Sequence, residues 1–211
     1  MSDKKRSSAS APNQNQQKKK TGAKKKAGSK SQTKGSAKKK TKSAHFEIDR
    51  PRAEREPTPA DRGIGPRLGA HMSIAGGVHT ALERGWEGGC DIIQLFSKNN
   101  NQWDAKPFSE QDLASWRNRR DASGVTPSIV HDSYLINHGS PDPDLWARSV
   151  DAFAEEIVRC ALLEVPYLCM HPGAHMKEGE PAGIQRVIEG LDASWNQARD
   201  RLTTEAPDVA P

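Results

Sequence analysis

The chain has 211 residues, 34% of them hydrophobic and 28% charged, with a formal net charge of +5. This length holds one domain of ordinary size and a tail. No apolar run reaches 18 residues, and the basic N-terminus leads into no apolar stretch, so neither a membrane-spanning helix nor a secretory signal is expected. The three cysteines, Cys90, Cys160 and Cys169, sit in apolar surroundings without CxxC spacing. That usage argues against a disulfide framework and for a reducing cytoplasm.

The net charge hides a division. Residues 1–50 hold 16 Lys/Arg against 3 Asp/Glu, a balance of +13, while the other 161 residues hold 16 against 24, a balance of −8. Residues 1–44 are Lys, Ser, Ala, Gly, Gln and Thr, with lysine triplets at 18–20, 24–26 and 38–40. Such a segment buries too little apolar surface to offset its ordering entropy, so a disordered tail is expected. It reads either as a polycationic tether for nucleic acid, gaining affinity by counterion release, or as a solubilising tail with no dedicated partner. Residues 45–66, with Pro51, Pro57, Pro59 and Pro66 among charged residues, read as a linker.

From Arg67 the pattern becomes periodic. Leu68–Ser73 is a short strand candidate, and Val78–Glu87 has helical spacing before Gly88-Gly89 stops it. Asp91–Phe96 is a second apolar run, followed by a polar loop, Ser97–Lys106, with three consecutive asparagines. Ser109 is placed to cap a helix through Leu113 and Trp116 that ends at Gly124. Pro127–His131 is the third strand and Asp144–Leu163 a long helix with apolar residues at helical spacing. Pro166–His171 is the fourth strand, and Gly183 to about Arg199 the fourth helix. Residues 67–202 thus form one βα-repeated domain, and 203–211 a polar tail without a helical stripe.

Four βα units in succession imply right-handed crossovers and a parallel sheet. In such sheets ligands bind beyond the carboxyl ends of the strands, where His71, His131 and His171 fall. A lone histidine there is more often a structural residue than a ligand, but three on one edge favour a metal site. Cys169 faces the same way as His171 and is expected to pack one layer deeper. Asp132 should point to the opposite side from His131. His175 is either a supporting donor or solvated, and His45, His79 and His138 read as surface residues.

Four blocks then occur in order: Gly69-Ala70-His71-Met72-Ser73-Ile74-Ala75-Gly76-Gly77, Phe96-Ser97-Lys98-Asn99 with Gln102-Trp103, His131-Asp132-Ser133-Tyr134-Leu135-Ile136-Asn137, and His171-Pro172-Gly173-Ala174-His175. Together they resemble the endonuclease IV family of apurinic/apyrimidinic endonucleases, from about Arg67 to Arg199. The resemblance implies a (β/α)8 TIM barrel, of which about the first four βα units are present here. It implies three zinc ions at the C-terminal face and a metal-bound hydroxide that cuts duplex DNA on the 5′ side of an abasic site. It makes His131 and His171 ligands of one zinc; His71 and His175 are candidates, on their position alone, for supporting groups beside them. It makes Tyr134 and Leu135 a wedge that opens the duplex, for which unstacking costs least where a base is missing.

Two departures from the family pattern matter. Where the family commonly has Gln-Arg to probe the DNA, this chain has Asn100-Asn101, which is uncharged. The carboxylates that complete the zinc sites belong to later strands that have no counterpart here. Weak metal binding and little or no cleavage by this chain alone are therefore expected, with the open edges of a half-barrel able to self-associate. Two other readings stand beside this one: a non-catalytic DNA-binding remnant, and a sugar isomerase or epimerase on a related barrel. If the Lys-rich tail compensates for Asn100-Asn101, deleting residues 1–44 lowers affinity for duplex DNA and flattens its salt dependence. Binding titrations across a salt series check this, and an unchanged slope refutes it.

Overall fold

The computed structural model describes residues 60–206 together with Pro57 and Asp208. The expected basic tail, most of the linker and the last residues of the polar tail lie outside the described residues. Eight elements alternate along the chain: β1 Gly69–Met72, α1 His79–Glu87, β2 Ile92–Phe96, α2 Glu110–Ser123, β3 Thr126–His131, α3 Pro143–Leu162, β4 Tyr167–Cys169 and α4 Glu180–Glu205. The strands form one sheet in the order β1-β2-β3-β4, every pair parallel. This is the arrangement of four successive units of a (β/α)8 barrel.

Local chemistry sets the boundaries. Ser109 and Asp112 make a reciprocal capping box at the start of α2, and Gly124 ends it at φ 63°, a left-handed position that suits glycine. Asp142 caps α3 by accepting from the Asp144 and Leu145 N–H groups, with Pro143 in the first turn. The helix therefore begins earlier than the Asp144 start expected. The fourth helix also exceeds its expected span: it opens at Glu180-Pro181 and runs to Glu205. Residues 203–205 are thus helical, not part of a polar tail, because Leu202 is buried against Ala154, Val158 and Ala198.

The main core lies between the sheet and its helices, where Leu82, Ile93, Leu95, Trp116, Val125, Val130 and Leu163 are almost wholly buried. The Trp116 indole N–H donates to the Leu163 carbonyl at 2.9 Å, satisfying the polar atom of a buried aromatic. The opposite face of the sheet carries His71, Gln94 and Phe96, then Ile129, His131, Tyr167 and Cys169, and among the described residues no helix covers it. Cys169 is consequently exposed. It was expected to pack in the core, as it would if this inner face were covered.

The strand register holds one irregularity. Ile93 pairs with Pro127, but Gln94 pairs with Ile129, which leaves Ser128 bulged out of β3. A proline in an inner strand lacks the N–H for the ladder, and a bulge accommodates it. The extra residue also reverses the alternation. Pro127 is buried on the helix side; past the bulge, Val130 takes that side and His131 turns to the open face.

His138 is buried completely, not on the surface as its sequence context suggested. Ser194 Oγ donates to the Gly190 carbonyl at 2.7 Å, so it accepts from His138 Nε2 at 3.3 Å, and His138 Nδ1 has no partner. The ring stands edge-on to Phe153 and directly against Gly190, where a Cβ would come within 2.5 Å of it. Burial lowers the His138 pKa to about 4. Between that value and the unfolded value near 6.5, only the unfolded chain takes up the proton. Lowering the pH through this window should therefore shrink the stability advantage over His138→Gln by up to about 3 kcal/mol. Paired denaturant titrations of the two proteins at several pH values check it.

Candidate metal and nucleic-acid site

The site is built on loops that follow β2, β3 and β4 at the carboxyl rim of the sheet. The loop after β2 is held from below. Lys98 Nζ lies 3.7 Å from Glu156 Oε1, with both side chains at most 2% exposed, and it donates to the Trp103 carbonyl at 2.8 Å. Ser97 Oγ donates to Glu156 Oε2, and the Arg159 guanidinium donates to the Ser97 carbonyl at 2.7 Å. Burial raises the Glu156 pKa, while the Lys98 charge opposes that rise. Burial lowers that of Arg159, against the pull of Glu155 and Glu156. Buried charges of this kind are tolerated only when paired and hydrogen-bonded. Lys98 is thus an anchor inside the fold.

Glu156 was not singled out in the sequence. The available signal was a carboxylate inside the apolar stripe of a helix, beside Phe153 and Ile157, with Arg159 three residues on.

The anchored loop in turn holds the next one. The Asn100 carbonyl accepts from Ser133 Oγ at 2.9 Å and from the Tyr134 N–H at 3.3 Å. Asn101 Nδ2 donates to Asn100 Oδ1 at 3.0 Å. Asn100 and Asn101 therefore border the Tyr134 turn, with Asn101 on the exposed side.

Tyr134 is 57% exposed and stands over a pile of rings. Its centroid lies 5.4 Å from that of His131, 5.5 Å from Phe96 and 6.2 Å from His171. Leu135 beside it is half-buried. The His131 and His171 ring centroids are 5.2 Å apart, and His71 packs tilted against Phe96 at 4.5 Å and lies 6.2 Å from His131. Partial burial and then the charge of His131 hold the His71 pKa below the usual imidazole value. His175 faces elsewhere: its Nδ1 accepts the Gly179 N–H at 3.1 Å, and its Cβ lies against Gly183. His71, His131 and His171 are thus brought together, and His175 is not.

Two observations test whether the pair fits a metal. His131 Nδ1 is 2.9 Å from the Asp132 carbonyl. A carbonyl only accepts, so Nδ1 carries the proton and Nε2 is left with a free lone pair. Zinc–nitrogen bonds of about 2.0–2.1 Å at a tetrahedral angle put two imidazole centroids ~5 Å apart, which the His131–His171 separation matches. Among the described residues no group of three or more His, Cys, Asp or Glu forms a metal cluster. The pair suits part of one site.

Asp132 sits below this pair, 1% exposed, with Oδ1 3.6 Å from His131 Nδ1, the ring's inner side. Neither carboxylate oxygen has a hydrogen-bond partner. Burial, and then the nearby Glu156, push its pKa up to about 7; the backbone N–H groups of His171 and Asp132 pull the other way without reaching hydrogen-bond geometry.

The loops after β3 and β4 are clipped together by Asn137. Its Oδ1 accepts the Ala174 N–H at 2.8 Å, its N–H donates to Ser149 Oγ at 2.9 Å, and the Gly139 N–H donates to the Pro172 carbonyl at 3.2 Å. Gly173 lies against this clip at φ 91°, where a Cβ would fall 2.0 Å from Asn137 Oδ1. Both the left-handed backbone and the contact exclude a side chain.

Residues 86–204 match the xylose isomerase-like TIM barrel family. A probable endonuclease 4 of Chloroflexus aggregans is 50% identical over 126 residues, covering 60% of this chain and 44% of that protein. One from Geobacter sp. strain M21 is 46% identical over 130 residues, covering 62% and 46%. The crystal structure of endonuclease IV from Thermus thermophilus superposes with a TM-score of 0.56 at 36% identity, covering 63% of this chain and 47% of that one. The chain spans less than half the length of the curated relatives it matches. Gly173→Ala is expected to destabilise the fold by at least about 2 kcal/mol, and chemical denaturation beside the parent chain measures it.

Proposed function

Because this chain belongs to the xylose isomerase-like TIM barrel family and within it matches endonuclease IV, we propose that it acts on duplex DNA at abasic sites. In this reading the reaction is hydrolysis of the phosphodiester on the 5′ side. What supports the reading is one constellation. An exposed aromatic, Tyr134, stands directly over the His131–His171 pair at the carboxyl rim of a parallel sheet. A pocket for a small sugar needs no exposed ring beside its metal, whereas a ring at the rim can enter a duplex where a base is missing.

The roles follow. Tyr134 and Leu135 enter the duplex where the base is missing, because there the unstacking cost is least. Asn100 and Asn101 border that wedge and contact the strand through uncharged amides, so their contribution is small beside a cationic contact. His131 and His171 hold a zinc ion, with the Asp132 carbonyl fixing the His131 tautomer and His71 packed alongside through Phe96. When bound, zinc supplies Lewis-acid stabilisation of phosphate charge. His175 supports the loop from the α4 side and does not touch the pair. The family's three ions need further carboxylates, so zinc binding by these two histidines is weak and cleavage slow. Three cysteines with no disulfide among them accord with a reducing cytoplasmic setting.

Binding to a duplex with a stable abasic analogue and to the intact duplex, with and without zinc, tests the reading. The abasic duplex should bind tighter, and Tyr134→Ala should erase most of that preference, a loss of roughly tenfold from one stacking contact. His131→Ala should lower zinc uptake and leave the abasic preference in place. Equal affinity for both duplexes would sink the proposal. Retained abasic binding without any cleavage favours a DNA-binding remnant, and robust turnover with zinc overturns the expected weak site.

A further inference from the structure

We propose that the Asp132 carboxylate is a positioning residue for the metal: a negative charge buried behind the His131–His171 pair, balanced only when the pair holds its ion. The inference rests on these two histidines taking zinc. It concerns a different group from the one that sets the ring. The Asp132 carbonyl fixes the His131 tautomer by accepting from Nδ1 at 2.9 Å, and the carboxylate is not needed for that.

This carboxylate breaks a rule that its neighbours keep. A buried charge is ordinarily paired and hydrogen-bonded. Glu156 has Lys98 at 3.7 Å and the Ser97 hydroxyl. Lys98 also donates to the Trp103 carbonyl at 2.8 Å. Arg159 donates to the Ser97 and Lys106 carbonyls and lies 3.6 Å from Glu155. Asp132 is 1% exposed, enclosed by the described residues themselves, and neither of its oxygens has a hydrogen-bond partner among them. Its nearest charged neighbour on the core side is a like charge, Glu156, whose own cation is Lys98. As a purely structural group, such a carboxylate destabilises the fold more than an uncharged side chain of the same shape.

Toward the rim it borders the pair. Oδ1 lies 3.6 Å from His131 Nδ1, and the His171 backbone N–H is also close, short of hydrogen-bond geometry. The carboxylate therefore stands beside both candidate ligands, on the side of the His131 ring away from the free Nε2. A carboxylate behind a metal-binding imidazole raises its basicity and steadies its orientation. The positive charge that Asp132 lacks is supplied when an ion is held through Nε2. Asp132 thus destabilises the metal-free chain and strengthens its hold on the ion.

Asp132→Asn keeps the shape of the side chain and removes its charge. In the full 211-residue chain, zinc affinity is measured by competition with a chromophoric chelator, counting only the uptake that His131→Ala abolishes. Asp132→Asn should weaken that uptake by about tenfold or more. Its denaturation midpoint without metal should equal or exceed the parent's, and zinc should raise the parent's midpoint more than the variant's. A metal-free midpoint below the parent's, or a variant that does not fold, shows a carboxylate that holds the fold and overturns the proposal. Parent-like zinc affinity in a folded variant overturns it as well, and leaves the zinc reading standing. Uptake that His131→Ala does not touch defeats the zinc reading itself, and this inference with it.

Discussion

The site depends on one extra residue in β3. A strand alternates its side chains strictly, so the face taken by Pro127 would be the face of His131 if the ladder ran unbroken. Pro127 is on the helix side, and His131 must be on the other if it is to meet His171 and lie under Tyr134. The bulge at Ser128 reconciles them. It lets a residue without an N–H sit in an inner strand, and it turns the last residue of that strand toward the open rim. The ring cluster of His71, Phe96, His131, Tyr134 and His171 exists because of that turn.

A second constraint fixes the loops. The Lys98–Glu156 pair, with Ser97 and Arg159, lies in the low-dielectric layer between sheet and α3, where an unpaired charge is costly. Its members come from one loop and one helix, so satisfying them fixes the loop after β2. That loop grips the β3 loop through the Asn100 carbonyl, and the β3 loop grips the β4 loop through Asn137. Charge burial at the base is thus transmitted by hydrogen bonds to the rim. The same arrangement explains why the lysine of the Phe96-Ser97-Lys98-Asn99 block is not a surface cation available to a phosphate.

The outer side of the sheet is finished and the inner side is not. Ile93, Leu95 and Val130 are packed to near-complete burial, while the residues that alternate with them on the same strands remain in contact with solvent. Only the helix-side face contributes its full share to stability, since hydrophobic stabilisation follows the apolar area removed from water. The histidine pair therefore sits at the boundary between a consolidated core and an open surface, accessible from the rim.

The βα alternation, the parallel sheet and the placement of His131 and His171 at one rim were legible in the sequence, because each rests on local patterning. Apolar periods mark strands and helices, Ser109 and Gly124 mark helix ends, and the His131 and His171 blocks carry specific motifs. Where a reading missed, the cause was a partner distant in sequence. His138 looked like a surface residue until α4 folded over it, with Gly190 making the room. Cys169 looked like a core residue but lies on a face with no cover. Glu156 looked like one charged residue among many, and its role came from Lys98 across the core. The fourth helix outran its polar sequence because Leu202 found Ala154 and Val158 on α3. The sequence by itself determined which elements form and in what order, since hydrophobic period and capping act over a few residues. Tertiary structure alone decided which face His131 occupies and which charges are buried, since strand register and burial are properties of neighbours that the chain order does not contain.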